Sequence, residues 1–554
     1  MQISRIDGMI MKKMIILASL VISTSLAAQD LDPTVEVSRE YEGKLIEVHK
    51  PALEMSVPDT LHRFDLDFDY SVFDNPYKGS YEFSPYAMEM MPSSSGGAPK
   101  TFYLRAGAGY TLHPTLDVLW APLKKKAFSM DLYATHRSYV GGYRAIGKRS
   151  AWKGYDLLTK VGADFGYDWK KAVMDFGASY YGIADKDFRG QRTFNALDAY
   201  ASVKSKSLWT RNFSYDVGFT YRFAEDMAGR VSDMPLSEHD FGIDVSFGPN
   251  FRKHKVLFDL GVDLVSYEGP LASTVGRFYL IPHYLYERGL LELDLGVRVS
   301  AAVSSGTSFR TGGQYVYPDL RMNLNLIPDA LRLYVHIGGG EKLNTYSSLV
   351  DSNHHVDLSY GPGGYASLMD VTVERVSAVA GVAGRITNFF SYNLRGGYIN
   401  YRNALLDAAV KAEDGLFMPG TGYSSYEKAF VSLDCGLNVR DFCLEAVLGY
   451  VHAWGISKSV LLGPSSIGGN VSLTYDWRKR INAGIDCDFA SARMSAGGFR
   501  MPGYADLGIS AEYVSSRRLS FWIRGGNLLN MEIQRNLMYA EKGINFTAGI
   551  CFSL

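Results

Sequence analysis

The chain stops on KGINFTAGICFSL, and that stretch restricts the fold more than any other. Ile544, Phe546, Ala548, Ile550, Phe552 and Leu554 fall on one face, and Asn545, Thr547, Gly549, Cys551 and Ser553 on the other. A period of two is a strand pattern. A soluble sheet rarely ends on a long strand with one fully apolar face, because an unpaired edge invites aggregation. The strand therefore needs a partner for its edge and a cover for its apolar face.

The same unit repeats from about residue 100: an alternating run, a connection, another run. LLELDLGVRVSA, KVLFDLGVDLV, FSYDVGFTYRF, INAGIDCDFAS and LRLYVHIGG are examples. In the first, Leu291, Leu293, Leu295, Val297 and Val299 face one way, and Glu292, Asp294, Gly296 and Arg298 the other. Runs of about ten residues match a tilted bilayer crossing, where the absence of water forces every backbone group into a closed sheet. Ten connections are short and often basic: PLKKKA, DWKKA, KSLWT, FRKHK, YERG, IPDA, TNFF, VRDF, DWRKR and SSRR. Longer ones alternate with them, residues 342–370 and 404–423 being the longest. The fold class expected is an all-β transmembrane antiparallel barrel of about 22 strands in the outer membrane of a Gram-negative cell, wrapped by outer-membrane lipids. The last strand pairs with the first, near KTFYLRAGAGY, and lipid covers its apolar face.

Composition agrees. Among 554 residues, 13% are aromatic, 37 are Tyr and 56 are Gly. With 57 basic against 58 acidic side chains, a nucleic-acid partner is not expected. Trp120, Trp169, Trp209, Trp477 and Trp522 lie beside short turns, and Trp152 and Trp454 near long connections. Two interfacial aromatic girdles are expected from this.

Three regions are expected. Residues 1–28 read as a secretory signal peptide, with Lys12 and Lys13 before MIILASLVIS and a cut near Ala27 or Ala28. Residues 29–99 form a short acidic periplasmic or lumenal segment, and 100–554 the barrel. Residues 30–99 hold 14 acidic and 5 basic side chains, which leaves the barrel portion near +6. Such a segment would be attracted to a mildly basic lumen. It could equally extend below the barrel as a linker, and an inward fold of loop 342–370 is a second candidate for filling the lumen.

The stretch RGGNLLNMEIQRNLMYAEKGINFTAGICFSL resembles the end of TonB-dependent receptors, through Asn527, Leu528, Leu529 and Asn530 and then Gly543, Phe546, Gly549 and Phe552. That resemblance implies a receptor-like barrel for substrate transport across the outer membrane. Receptors of that family carry a plug domain and a TonB box before the barrel. Here the pre-barrel segment is too short for the family's plug, and DPTVEVSRE resembles a TonB box only through Thr34, Val35, Val37 and Ser38. The lumen would be closed by the N-terminal segment, by loops or by a periplasmic or surface protein partner. The alternative is a non-transporting scaffold that docks envelope or surface proteins. Phe552, third from the end, resembles the terminal aromatic read by the barrel-assembly machinery.

No catalytic, cofactor or metal residue is assigned. His136 and Ser138 share one strand face, but no third group or oxyanion site accompanies them. Asp351, His354, His355 and Asp357 gather in the longest loop and read first as a solvated cluster. Cys435, Cys443, Cys487 and Cys551 sit inside strands as packing residues, and Cys435 and Cys443 would point to opposite faces. Arg105, Asp175, Asp216, Asp259, Asp263, Glu292, Asp294, Arg298, Arg332, Arg395, Asp486 and Asp488 are expected to face the lumen. No nucleotide, haem or covalent-cofactor motif is present.

Overall fold

A computed structural model describes residues 101–554, interrupted at 111, 126, 147–149, 207–211, 229–234, 252, 272, 306–311, 356–369, 388 and 413–414. The regions 1–28 and 29–99 lie outside the described residues. The described residues form one 22-stranded antiparallel sheet, with a two-residue pair at Arg493–Met494 and Arg500–Met501 and one short helix outside it. Each strand pairs with the next along the chain, and the last strand, Asn545–Ser553, pairs with the first, Phe102–Tyr110. Tyr103 opposes Ser553 and Tyr110 opposes Phe546. The cylinder is closed, so no edge remains, which is the only way a sheet satisfies its backbone in lipid. Backbone bonds also tie Thr101 N to Leu554 O (2.7 Å) and Leu554 N to Phe102 O (2.9 Å), holding the start of the first strand and the last residue together at the short-turn rim.

The alternation behaves as the sequence demands. Leu295, Val297 and Val299 are 41–46% exposed on the outside, and Ile550 and Phe546 are exposed beside the seam. Hydrocarbon chains cover such a surface in a bilayer. The strand ends that flank the ten short connections fall on one rim, and those that flank the remaining connections on the other. Among the described residues no helix is long and apolar enough to span a membrane.

Three expectations are corrected. Residues 404–423 are not a loop. They are the paired ends of strands Phe390–Lys411 and Phe417–Val439, of 22 and 23 residues, which run about 70 Å at 3.3 Å per residue. A hydrocarbon core is only about 30 Å thick, so this hairpin stands clear of it. Second, Trp522 belongs to no girdle. It faces inward at 6% exposure, and Gly107 makes room for it, since a Cβ there would lie 2.4 Å from its ring. Trp152 also leaves the girdle, stacking on Tyr143 with ring centroids 3.8 Å apart. Trp120, Trp169, Trp454 and Trp477 are exposed, and Trp209 lies outside the described residues.

Third, the lumen is not basic. The surplus of positive charge sits in the short turns. On the inner face, Asp131 directly opposes Asp164, Asp156 opposes Asp185, Glu287 opposes Glu292, and Asp488 opposes Asp506. Among the described pairs no two Lys or Arg residues oppose each other on that face. Like charges placed opposite one another repel, so each of these pairs favours a cation beside it.

Candidate functional site

At the long-connection mouth two connections of the chain fold back and meet each other. The connection after strand Leu331–Leu343 folds inward as a seven-residue helix, Tyr346–Ser352. Thr345 caps it by accepting from Ser348 N at 3.2 Å. Tyr346, Leu349 and Val350 lie at i, i+3 and i+4, so they share one face. That face packs on Ile183, Phe194, Ala224, Leu236, Val265 and Tyr267 of the opposite inner wall. This is the inward loop fold expected for 342–370.

Charged groups fix the helix in place. Arg192 donates to the Tyr346 hydroxyl (2.7 Å) and pairs with Asp226 (2.8 Å), and the Tyr346 hydroxyl donates to the same Asp226. Glu238, fully buried, accepts from Ser347 N at 3.2 Å. Arg222 bridges Asp198 of the wall and Asp351 of the helix, the latter at 3.1 Å. Each bond to a charged group contributes about 1.5–3 kcal/mol.

The last long connection, between strands Leu519–Gly526 and Asn545–Ser553, forms the second half of the cover. Its base is clamped by Asn527, a residue of the receptor-like ending. The Asn527 amide donates to Met531 O (2.9 Å) and Lys542 O (3.0 Å), and its carbonyl accepts from Met531 N (2.9 Å). Arg535 pairs with Asp488 at 2.7 Å, with Asp506 at 3.0 Å, and with Glu541. It thereby relieves the Asp488–Asp506 repulsion. Leu537, Met538 and Ala540 bury against Ile146, Ala409, Leu462 and Met501, which joins this loop to the 404–423 hairpin and the neighbouring connections.

The two halves meet at Tyr539. Its ring stacks on His355 with centroids 3.8 Å apart and planes 6° apart. Its hydroxyl donates to Asp187 and accepts from Arg189, both at 2.5 Å. Trp152 meets the same ring edge-on at 6.4 Å. Burial pushes both His354 and His355 below the usual imidazole range, so both are neutral at pH 7.

The structure places the residues singled out from sequence as follows. Asp351, His354 and His355 do not converge: they reach Arg222, Tyr181 and Tyr539 separately, and Asp357 lies outside the described residues. Among the described residues no group of three or more metal-ligating side chains forms. His136 and Ser138 face outward, bonded to Thr159 (2.8 Å) and Pro114 O (3.2 Å) rather than to each other. All four cysteines are free. Cys435 opposes Ala446 and Cys443 opposes Asn438, on opposite faces as expected. The twelve predicted lumenal residues all fall on the inner face of the alternation. Asp259 and Asp294 flank His283 at 2.6 and 2.9 Å, Asp263 pairs with Arg277, and Asp216 pairs with Lys204 at 3.0 Å. Thr34, Val35, Val37 and Ser38 lie outside the described residues. Tyr539, Arg535, Arg192 and Tyr346 were not singled out from sequence. Their signal was the apolar inner face at the mouth end, at Ile183, Phe194 and Val265, where a merely wetted wall would be polar.

No family model and no curated protein matches the chain. Solved structures do. The FrpB iron transporter from Neisseria meningitidis superposes with a TM-score of 0.61 at 9% identity, covering 83% of each chain. The ferric-catecholate import receptor Fiu from E. coli K12 gives 0.61 at 9%, covering 84% of this chain and 83% of that one. The copper transporter OprC gives 0.59 at 11%, covering 84% and 82%. The fold is that of outer-membrane receptor barrels. Those proteins are transporters and receptors by name, not enzymes.

Proposed function

We propose that the chain is a TonB-dependent-receptor-like import barrel of the outer membrane, its mouth closed by its own outer connections. The observation that carries this reading is the meeting of the 344–355 segment and the 527–544 loop at Tyr539, across a wide polar lumen. A cover held by polar contacts and apolar packing, over a wall lined with charge, suits a conduit that opens for a ligand. The acidic wall favours a neutral or cationic cargo over an anion. Coupling to a periplasmic energy-supplying partner would run through the segment holding Thr34, Val35, Val37 and Ser38.

Because the mouth is covered, a non-transporting scaffold is the competing reading. Uptake by cells expressing the protein separates the two. Import of a metal complex that is lost on deleting residues 32–38 supports coupled transport. Unchanged growth and uptake in a deletion strain, with a stable complex recovered from the envelope, supports the scaffold.

A further inference from the structure

The described chain enters the barrel at the rim that carries the basic short turns. The described chain begins at Thr101, bonded to Leu554 O at that rim, so residues 30–99 are tethered there. The connections around it expose Lys170, Lys171, Lys253, Lys479, Arg517 and Arg518. The lumen above is lined by acid opposed to acid, which repels a segment of 14 acidic and 5 basic residues. We propose that residues 30–99 dock beneath the short-turn rim, against this ring of Lys and Arg, rather than inside the lumen. Tethering supplies an effective concentration in the millimolar range, so individually weak surface pairs suffice to hold the segment. Docked there, the segment would lie where a periplasmic partner approaches.

The test is zero-length carbodiimide cross-linking of the full mature chain in zwitterionic micelles, read by mass spectrometry. At low salt, Lys170, Lys171, Lys253 and Lys479 are expected to join carboxylates within 30–99. About 1 M salt, with a Debye length near 3 Å, should reduce those links several-fold. The double variant Arg517→Gln/Arg518→Gln should reduce the links made by the untouched lysines several-fold, with heat-modifiable migration on gels confirming a folded barrel. Three results would overturn the proposal: no links to 30–99, links confined to the lumen-facing Lys204 and Lys255, or links that vanish when anionic phospholipid vesicles replace the micelles. The last would assign the rim to lipid headgroups.

Discussion

Tyr539 shows how one side chain can hold a mouth closed. Its ring and hydroxyl touch both halves of the cover and the wall at Asp187 and Arg189. Tyr539→Phe removes only the hydroxyl and leaves the Asp187–Arg189 pair; the docked loop should weaken by about 1–3 kcal/mol, read as faster amide exchange across 533–541. Tyr539→Ala also removes the stack and should free the loop further. The neighbouring His355 adds a pH dependence. Burial depresses its docked pKa below the free value of about 6.5. Docking is therefore at full strength above that pH and weakens as pH falls, because the undocked imidazole takes a proton that the docked one refuses. Fluorescence of Trp152, which touches Tyr539, should report loosening in mild acid, and His355→Asn should blunt it. None of this was legible in sequence. His354 and His355 read as a solvated loop, because the wall that buries them comes from strands more than a hundred residues away.

Elements were legible where the period of two was clean, and less so where it was not. All ten short turns were marked by polar, basic or Pro residues between alternating runs, and the strands flanking each of them pair in the structure. The 404–423 stretch misled because ALLDAAVK and FMPGTGY do not alternate. Both faces of that hairpin are covered: Leu406 and Ala408 pack on Leu461, while Leu405 packs towards the helix. A strand covered on both sides loses its polar face and reads as irregular. Its bend lies at Asn403, where φ is 61° and the register shifts between Tyr401 and Ala404. The Asn403 amide donates to Val371 O at 3.0 Å. Asn403→Val, a β-branched residue in left-handed backbone, should cost about 1–3 kcal/mol and lift the hairpin from the mouth. Limited proteolysis near 412–416 would detect it. Asn403→Gly should be milder.

At the scale of the whole molecule, net charge concealed the property that matters. A barrel portion near +6 suggested a basic lumen. The basic surplus belongs to the short turns instead, and the inner face pairs its Arg and Lys with acid and also sets acid opposite acid. Charge totals cannot separate turn from wall, but alternation can: Asp131, Asp164, Glu287 and Glu292 were already on the inward period. A barrel opened by removing its cover should therefore conduct cations in preference to anions, read from the reversal potential in a salt gradient.

Single-channel conductance in planar bilayers tests the central claim, that the outer connections close the mouth. Three proteins are compared: the mature chain, a version lacking 30–95, and one in which both 346–355 and 533–541 are replaced by short Gly/Ser links. The first two should stay closed, and the third should open a wide, cation-selective pore. A wide pore on deleting 30–95 alone, with the outer connections intact, would contradict the account and return the N-terminal segment to the lumen.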